Sequence, residues 1–298
     1  MKTIAAIRTN HWGEDAERVF AQLAPVWGDR LVTVFHNRPE GMALPLPVVD
    51  INDAWVEQNG LRVLPDWGWR CGDYCLYALR QAYPDAEHFW LIEPDVFFKG
   101  DVGAFFDRFA DRDEDCLGVS IEELPVGNVS FKPIPGLTLL RSIFALVRFS
   151  GRAIEMLRIK RQEYFQTPVR PFRALNDECF CFSFLHASDG FSLGSMASIA
   201  PDLIQSATMR TDPDRLPESV PSSVPQGVFH PVRCHGSFRA AVSRRLAARG
   251  APFGLLVHQL QYLESWEIDE LAREAAEHLK ATMHQQRLQQ IRKNQRRG

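Results

Sequence analysis

Residues 88–96 have the sequence His-Phe-Trp-Leu-Ile-Glu-Pro-Asp-Val, a continuous apolar run followed at once by two carboxylates. The run from Phe89 to Ile92 is typical of a short central strand that is buried on both faces. Because successive side chains of a strand face opposite sides, Glu93 and Asp95 are expected to project to the same side. Pro94 has no N–H for a ladder, so we expect the sheet to end there and the chain to open towards solvent.

Short apolar runs rich in Val and Ile precede this strand, at residues 3–7, 31–35 and 47–51, and a helix is predicted between the first two. This pattern is typical of βαβ units. The predicted fold class is therefore α/β, a Rossmann-like, mixed and mostly parallel sheet flanked by helices, with a helical C-terminal segment. Open α/β sheets bind ligands at the carboxyl ends of their strands. Polar residues follow the predicted strands: Arg8, Thr9, Asn10, His36, Asn37, Arg38, Asn52 and Asp53.

The composition is that of a globular protein. Its 298 residues are 45% hydrophobic, which is enough for a large core. The formal net charge of -3 gives no sequence-wide attraction to nucleic acid, and no nucleic-acid partner is predicted. We find no signal peptide and no apolar run of membrane-spanning length, so a soluble, cytoplasmic protein is expected. The six cysteines lack the spacing of a disulfide scaffold and are expected to be reduced and mostly buried.

The second half of the chain carries two further predicted strands, at residues 116–121 and 142–149, and a helix from 151 to about 164. Asn176-Asp-Glu then precedes an apolar, Phe-rich helix that we expect to be buried. Asp177 and Glu178 are candidate catalytic or acceptor-binding residues, because a carboxylate can accept the proton of an acceptor hydroxyl. Their position at a helix start is expected to lower their pKa values, and capping alone is the alternative.

Two carboxylates at the exposed end of a buried strand need a compensating positive charge. Mg²⁺ or Mn²⁺ would supply it at Glu93 and Asp95 and would keep coordination positions open for phosphate oxygens. A metal there suits the departure of a nucleoside diphosphate, because it stabilises the charge of the leaving group. A solvated acidic turn is the alternative. A zinc site is a weaker hypothesis, built from Cys71, Cys75, His230, Cys234 and His235.

The run Trp90-Leu-Ile-Glu-Pro-Asp-Val-Phe-Phe-Lys-Gly resembles the Asp-x-Asp region of A-type (GT-A fold) glycosyltransferases. It is similar to bacterial and fungal groups with Trp-x-x-Glu-x-Asp-Val-x-Phe-x-Gly in that place. Trp69-Arg-Cys-Gly-Asp-Tyr resembles the same groups, in which Gly-Asp opens the helix before the metal-binding strand. The order of landmarks is similar over residues 3–235, although only residues 69–100 are specific. Glu replaces the usual first Asp of the motif in this chain.

The resemblance implies a metal-dependent glycosyltransferase that uses a UDP- or GDP-sugar and Mn²⁺ or Mg²⁺, with a saccharide or glycolipid acceptor, in glycan or polysaccharide assembly. Asp95 would be the primary metal ligand, and Glu93 would bind the metal, a metal-bound water or ribose. His230 matches the late histidine that completes the metal shell, where an imidazole favours Mn²⁺. Donor contacts are implied for Asp73, Arg8, Thr9 and Asn10.

The implied domain organisation is a nucleotide-binding half over residues 1–100, an acceptor-binding half over 101–237 and a helical C-terminal extension over 238–298. Residues 211–226 are rich in Pro, Ser and Asp and are expected to form a mobile loop, either a lid over the donor or a plain connector. The basic segment 287–297 is suited to peripheral contact with anionic lipid at the inner membrane surface. A solvated helix or a partner-binding tail is the alternative for that segment.

Two other functions stay open at this point. A sugar nucleotidyltransferase also uses a metal and carboxylates, but it usually has a glycine-rich basic loop after the first strand. Here the corresponding stretch, Arg8-Thr-Asn-His-Trp-Gly, contains a single glycine. A non-catalytic carbohydrate- or partner-binding protein on the same fold is the other alternative, because fold alone does not fix function.

Overall fold

The computed structural model describes residues 2–124, 134–168, 170, 173–247, 257, 259–277 and 280–281. The chain forms two compact units. The first comprises Met1–Thr211 and Ser222–Pro231, and the second comprises Asp212–Pro221 and Val232–Gly298. The basic segment predicted to contact a membrane, 287–297, lies outside the described residues.

The first unit thus contains residues from both predicted halves of the chain, and the second takes in the predicted helical extension. Residues 211–226, predicted to be a mobile loop, are divided between the units: 212–221 belong to the second, and 222–226 belong to the first. A short 3₁₀ helix, Pro217–Ser219, lies within this stretch. The second unit is helical over residues 265–277 and has its own small apolar core around Phe238 and Leu271.

The strands are β1 (Thr3–Thr9), β2 (Leu31–His36), β3 (Val48–Ile51), β4 (His88–Ile92), β5 (Phe97–Lys99), β6 (Cys116–Gly118), β7 (Glu122–Glu123), β8 (Leu140–Arg141), β9 (Leu146–Ser150), β10 (Leu193–Ser195) and β11 (Gly227–Phe229). Seven of them form one sheet in the order β10-β6-β9-β4-β1-β2-β3. Strand β9 runs antiparallel to both of its neighbours, and the other pairs are parallel. The predicted fold class, a mixed and mostly parallel α/β sheet, is confirmed.

The helices are α1 (Glu14–Trp27), α2 (Asp53–Gln58), α3 (Trp67–Arg70), α4 (Asp73–Ala82), α5 (Val102–Asp107), α6 (Gly151–Gln166), α7 (Asp177–His186), α8 (Met196–Ile199) and α9 (His235–Ala247). The start of α6 matches the prediction because the Ser150 side chain caps it by accepting the N–H of Ala153. Within the described part of the chain, none of the helices combines the length and the apolar character needed to cross a membrane.

Apolar cores lie on both faces of the central strands, as their uninterrupted apolar sequence predicts. In β1, Ile4 and Ala6 face the core formed with α4, α6 and α7. Ala5 and Ile7 face the core formed with α1 and α5. The predicted burial of the aromatic side chains of α7 is confirmed for Phe180 and Phe182, whereas Phe184 is partly exposed. With both faces covered, only the ends of the strands are left to form a ligand site.

Two strands are shorter than predicted, because their flanking residues bond to helices. Strand β6 ends three residues before the end of the predicted span 116–121, since the carbonyl of Val119 accepts a backbone N–H of α8. Strand β9 begins four residues after the start of the predicted span 142–149, since the N–H of Ser142 donates to the carbonyl of Glu178. A backbone group bonded to a helix cannot continue the ladder.

The cysteines fit the predicted reduced state. All six are free thiols, five of them are buried, and Cys234 is partly exposed. Burial raises the pKa of the Cys71 and Cys75 thiols to about 12, so neither is a thiolate near neutral pH.

Candidate metal centre and its surroundings

Glu93 and Asp95 lie in the turn that follows β4, at the carboxyl edge of the sheet. The N–H of Val96 donates to the carbonyl of Glu93 across this turn. The guanidinium of Arg18 donates to the carbonyl of Pro94, 3.1 Å away. The Asp95 side chain is 11% exposed and that of Glu93 is 28% exposed. The turn thus holds two largely buried carboxylates at the predicted position.

His230 reaches these carboxylates because β11 pairs with β5 in antiparallel fashion. The last residue of β11 lies opposite the first residue of β5, so His230 follows β11 beside the turn that precedes β5. Its Nδ1 donates to the carbonyl of Arg210 at 2.6 Å. A carbonyl only accepts, so this bond puts the proton on Nδ1 and leaves Nε2 to face the carboxylates. Nε2 lies 3.3 Å from Asp95 Oδ1 and 3.8 Å from Glu93 Oε2.

The ligand atoms of Glu93, Asp95 and His230 lie within 4.8 Å of one another, and among the described residues no other group of His, Cys, Asp and Glu is so arranged. The residues of the zinc hypothesis therefore do not form a site there. Burial lowers the pKa of His230, but the nearby Asp95 and Glu93 carboxylates raise it above its ordinary value. An imidazole nitrogen and two carboxylates that converge in a buried place favour a bound cation, and this donor set fits Mn²⁺ or Mg²⁺.

Arg8, near the end of β1, lies beside Glu93 because β1 and β4 pair in parallel. Its Nη1 is 3.1 Å from Glu93 Oε1 and 3.3 Å from Asp177 Oδ2. Its Nη2 donates to the carbonyls of Gly68 and Trp69 at 2.9 and 3.0 Å. Burial lowers the pKa of Arg8, but the two carboxylates raise it above the ordinary value. Arg8 is therefore a fixed, buried positive charge held by protein groups.

Asp177, the first residue of α7, is only 3% exposed. Its Oδ2 accepts the N–H of Gly72 at 2.7 Å, and its Oδ1 accepts the N–H of Glu178 at 2.9 Å. Burial raises the pKa of Asp177 to about 7, although Arg8 acts to lower it. The predicted lowering of this pKa by the helix start is therefore wrong, because burial outweighs the helix dipole.

Glu178 has a more open environment than its neighbour. It is half-buried, and its Oε2 accepts a bond from Asn176 Nδ2 at 3.3 Å. Burial raises the pKa of Glu178, and the Glu93 carboxylate raises it further. The predicted pKa lowering is wrong here too. Whereas the carboxylate of Asp177 is enclosed by protein groups, Glu178 is partly exposed and interacts electrostatically with Glu93 and His230.

Asp73 lies inside the protein. Its carboxylate and the guanidinium of Arg161 form two hydrogen bonds of 2.8 Å, and both side chains are 0% exposed. The hydroxyl of Tyr77 donates to the same carboxylate at 2.6 Å. The Arg161 guanidinium also lies on the ring of Phe180, 3.5 Å from its centroid. The geometry contradicts the implied donor contact of Asp73, because these protein groups occupy its carboxylate; Asp73 belongs to a buried ion pair.

Thr9 and Asn10, the other two residues implied for the donor pocket, differ from one another, and Trp69 lies exposed, close in sequence to the backbone that holds Arg8. The hydroxyl of Thr9 is engaged locally, donating to the carbonyl of His11 and accepting its N–H. Asn10 is exposed at the carboxyl edge of the sheet. Trp69 is 69% exposed, an unusual state for an indole, and its carbonyl is bonded to Arg8. Asn10 and Trp69 thus present their side chains to solvent.

Comparisons with known proteins leave the family open. No protein-family model matches the chain, and no curated protein matches it. The fold is similar to a glycosyltransferase involved in the glycosylation of the major capsid of PBCV-1, with a TM-score of 0.38 and 10% identity over 78% of this chain and 93% of that one. It is also similar to the inositol-1-phosphate CTP transferase from T. maritima, with a TM-score of 0.38 and 9% identity over 65% and 85%. Similarities at this level assign neither a family nor an activity.

Proposed function

We propose that this protein is a metal-dependent glycosyltransferase that moves a sugar from a nucleotide-diphosphate donor to a hydroxyl of a glycan or lipid-linked acceptor. The convergence of Glu93, Asp95 and the Nε2 of His230 at the carboxyl edge of the sheet carries this proposal. The resemblance of residues 69–100 to the Asp-x-Asp region of A-type glycosyltransferases favours sugar transfer. The single glycine after β1 argues against nucleotidyl transfer.

Asp95 and His230 would hold Mn²⁺ or Mg²⁺, and Glu93 would complete the protein ligands through Oε2. When bound there, a divalent cation would neutralise the charge that develops on the departing diphosphate. The bond from His230 Nδ1 to the Arg210 carbonyl fixes the ring so that Nε2 stays directed at the carboxylates. Because imidazole suits Mn²⁺ better than Mg²⁺, Mn²⁺ is the expected preference.

Glu178 is the proposed base that accepts the proton of the acceptor hydroxyl. It interacts electrostatically with Glu93 and His230, and burial raises its pKa above the ordinary value, which makes the carboxylate a stronger base. Asp177, which the sequence favoured equally, is enclosed by Gly72, Arg8 and the backbone of α7. We therefore assign the catalytic role to Glu178 alone and a structural role to Asp177.

The Glu178→Gln variant is expected to slow the metal-dependent hydrolysis of a bound sugar nucleotide by about 100-fold or more, because water replaces the acceptor hydroxyl and needs the same base. Mn²⁺ affinity, measured by isothermal titration calorimetry, is expected to change less than about twofold, since Glu178 is not a ligand in this proposal. Wild-type hydrolysis by the variant would remove Glu178 from the catalytic role.

The proposed function is tested by titrating a panel of UDP- and GDP-sugars in the presence and absence of Mn²⁺. We expect one donor to bind only with metal and to release free nucleoside diphosphate slowly. Chelation with EDTA should abolish both effects, and added Mn²⁺ should restore them. Absence of metal-dependent donor binding across the panel would overturn the proposal. Release of pyrophosphate from a nucleoside triphosphate and a sugar phosphate would identify a nucleotidyltransferase instead.

The Trp69→Ala variant is expected to weaken binding of the selected nucleotide sugar by about tenfold, because an exposed indole offers a stacking surface for a base or sugar ring. Trp266→Ala is the matched control, since Trp266 is exposed to 64% but belongs to the second unit. Equal donor affinity in both variants, by calorimetry, would show that Trp69 does not contact the donor.

A further inference from the structure

We infer that Arg8 is a positioning residue: its guanidinium holds one oxygen of Glu93 so that the other oxygen faces the metal ligands. Asp177 and the backbone carbonyls of Gly68 and Trp69 hold the guanidinium in turn. The inference rests on the metal site of the proposed function. It replaces the donor-binding role that the sequence gives to Arg8 and the catalytic role that it gives to Asp177.

The two oxygens of Glu93 have different partners. Oε1 lies 3.1 Å from Arg8 Nη1, whereas Oε2 lies 3.8 Å from Nε2 of His230. The side chain is 28% exposed, so packing alone does not fix its orientation. A contact with a buried guanidinium restricts rotation of the carboxylate and so fixes the direction of its second oxygen. Arg8 therefore settles which oxygen of Glu93 faces His230 and would bind a metal there.

Arg8 itself is held by acceptors on several sides. The Asp177 carboxylate lies against Nη1, and the carbonyls of Gly68 and Trp69 accept from Nη2. A planar guanidinium offers donors in fixed directions that match such a set, whereas the ammonium of lysine is a compact point charge. The arrangement therefore requires arginine and not merely a positive charge.

Gly72 provides independent support for this arrangement. A Cβ atom at this position would overlap Arg8 Nη1 and Asp177 Oδ2. The N–H of Gly72 also donates to Asp177 Oδ2 at 2.7 Å. Any side chain at residue 72 would therefore collide with the guanidinium and the Asp177 carboxylate. This close approach explains why a glycine precedes Asp73.

The charges around Glu93 fit a positioning role. Arg8 is flanked by Glu93 and Asp177, so its positive charge is shared between two carboxylates. Asp177 offsets part of the repulsion that an isolated guanidinium would exert on a divalent cation at Oε2. The pair therefore orients Glu93 at a smaller electrostatic cost to the metal than a lone arginine would impose.

A double-mutant cycle on Mn²⁺ binding tests the inference without any nucleotide. The proteins are the wild type, Arg8→Met, Glu93→Gln and the double variant, each titrated with Mn²⁺ by calorimetry. We expect Arg8→Met to weaken Mn²⁺ binding by about tenfold in the Glu93 background, as the loss of a group behind a metal ligand does. In the Glu93→Gln background the same change should have less than about a twofold effect, because the carboxylate that Arg8 orients is gone.

Controls separate positioning from general damage. Arg38→Met removes an arginine that pairs with the exposed Asp50, and it should leave Mn²⁺ affinity unchanged. Arg8→Lys keeps the positive charge but lacks the planar set of guanidinium donors, so it should lose part of the Mn²⁺ affinity. This variant replaces Arg8→Met in the cycle if Arg8→Met does not fold. An equal loss of affinity in both Glu93 backgrounds, or no loss at all, would overturn the inference. A wild type that binds Mn²⁺ but no sugar nucleotide would contradict the proposed function alone and leave the cycle interpretable.

Discussion

The Asp95→Asn variant is expected to lose Mn²⁺ binding by at least about 100-fold and with it all metal-dependent turnover of a sugar nucleotide. The neutral amide keeps the shape of the side chain but lowers the negative charge that faces His230, whose Nε2 lies 3.3 Å from Asp95 Oδ1. Mn²⁺ affinity is measured by calorimetry, and the midpoint of thermal unfolding is measured in parallel. Because Asn has nearly the same volume, we expect the folded structure to persist.

Asp202→Asn is the matched control for this prediction. Asp202 is an exposed aspartate paired with Arg108 on the surface, and its replacement should leave Mn²⁺ binding unchanged. Wild-type metal affinity and turnover in Asp95→Asn would contradict the site. Loss of metal binding with turnover retained would contradict the metal dependence of the proposed reaction.

The second large effect concerns stability. Asp73→Asn is expected to lower the free energy of unfolding by about 3–5 kcal/mol, because it leaves the guanidinium of Arg161 buried without its carboxylate. Both side chains are fully buried; Asp73 accepts two hydrogen bonds from Arg161, and the carbonyl of Leu175 accepts a third. The measurement is urea unfolding followed by far-UV circular dichroism, with the slope compared between variants.

Asp50→Asn is the control for burial. The pair of Asp50 and Arg38 also has two hydrogen bonds, at 2.8 and 2.7 Å, but it lies on the surface. Water solvates whichever charge remains, so the change in stability should be much smaller than for Asp73→Asn. If Asp73→Asn kept wild-type stability and lost donor affinity instead, Asp73 would contact the donor as the family resemblance implies.

The sheet could be predicted because each strand is encoded by the apolar pattern of a few consecutive residues. The run from Phe89 to Ile92 is typical of a strand covered on both faces, and its side chains are all buried. The Val-rich runs before it also form strands, although Val48 and Val49 of the edge strand β3 are only half-buried. The limits of β6 and β9 could not be predicted, because partners distant in sequence decide them. Ser142, for instance, leaves the ladder to bond the carbonyl of Glu178.

Helical periodicity is sufficient to predict that Arg161 is a buried charge. It lies seven residues after Ile154 and four after Leu157, so it falls on the buried face of α6. A charged residue on such a face requires an opposite charge inside the protein. No pattern in the sequence, however, states that the partner is Asp73, 88 residues earlier.

For the candidate site, the sequence alone determined which carboxylates follow the central strand, because Glu93 and Asp95 are neighbours along the chain and strand geometry is periodic. Only the tertiary structure decided the rest. It brought Nε2 of His230 to 3.3 Å from Asp95 Oδ1, and it enclosed Asp177 with Arg8 while leaving Glu178 half-buried. Local patterns encode the propensity and direction of single elements, whereas burial and electrostatic pairing depend on contacts between residues far apart in sequence.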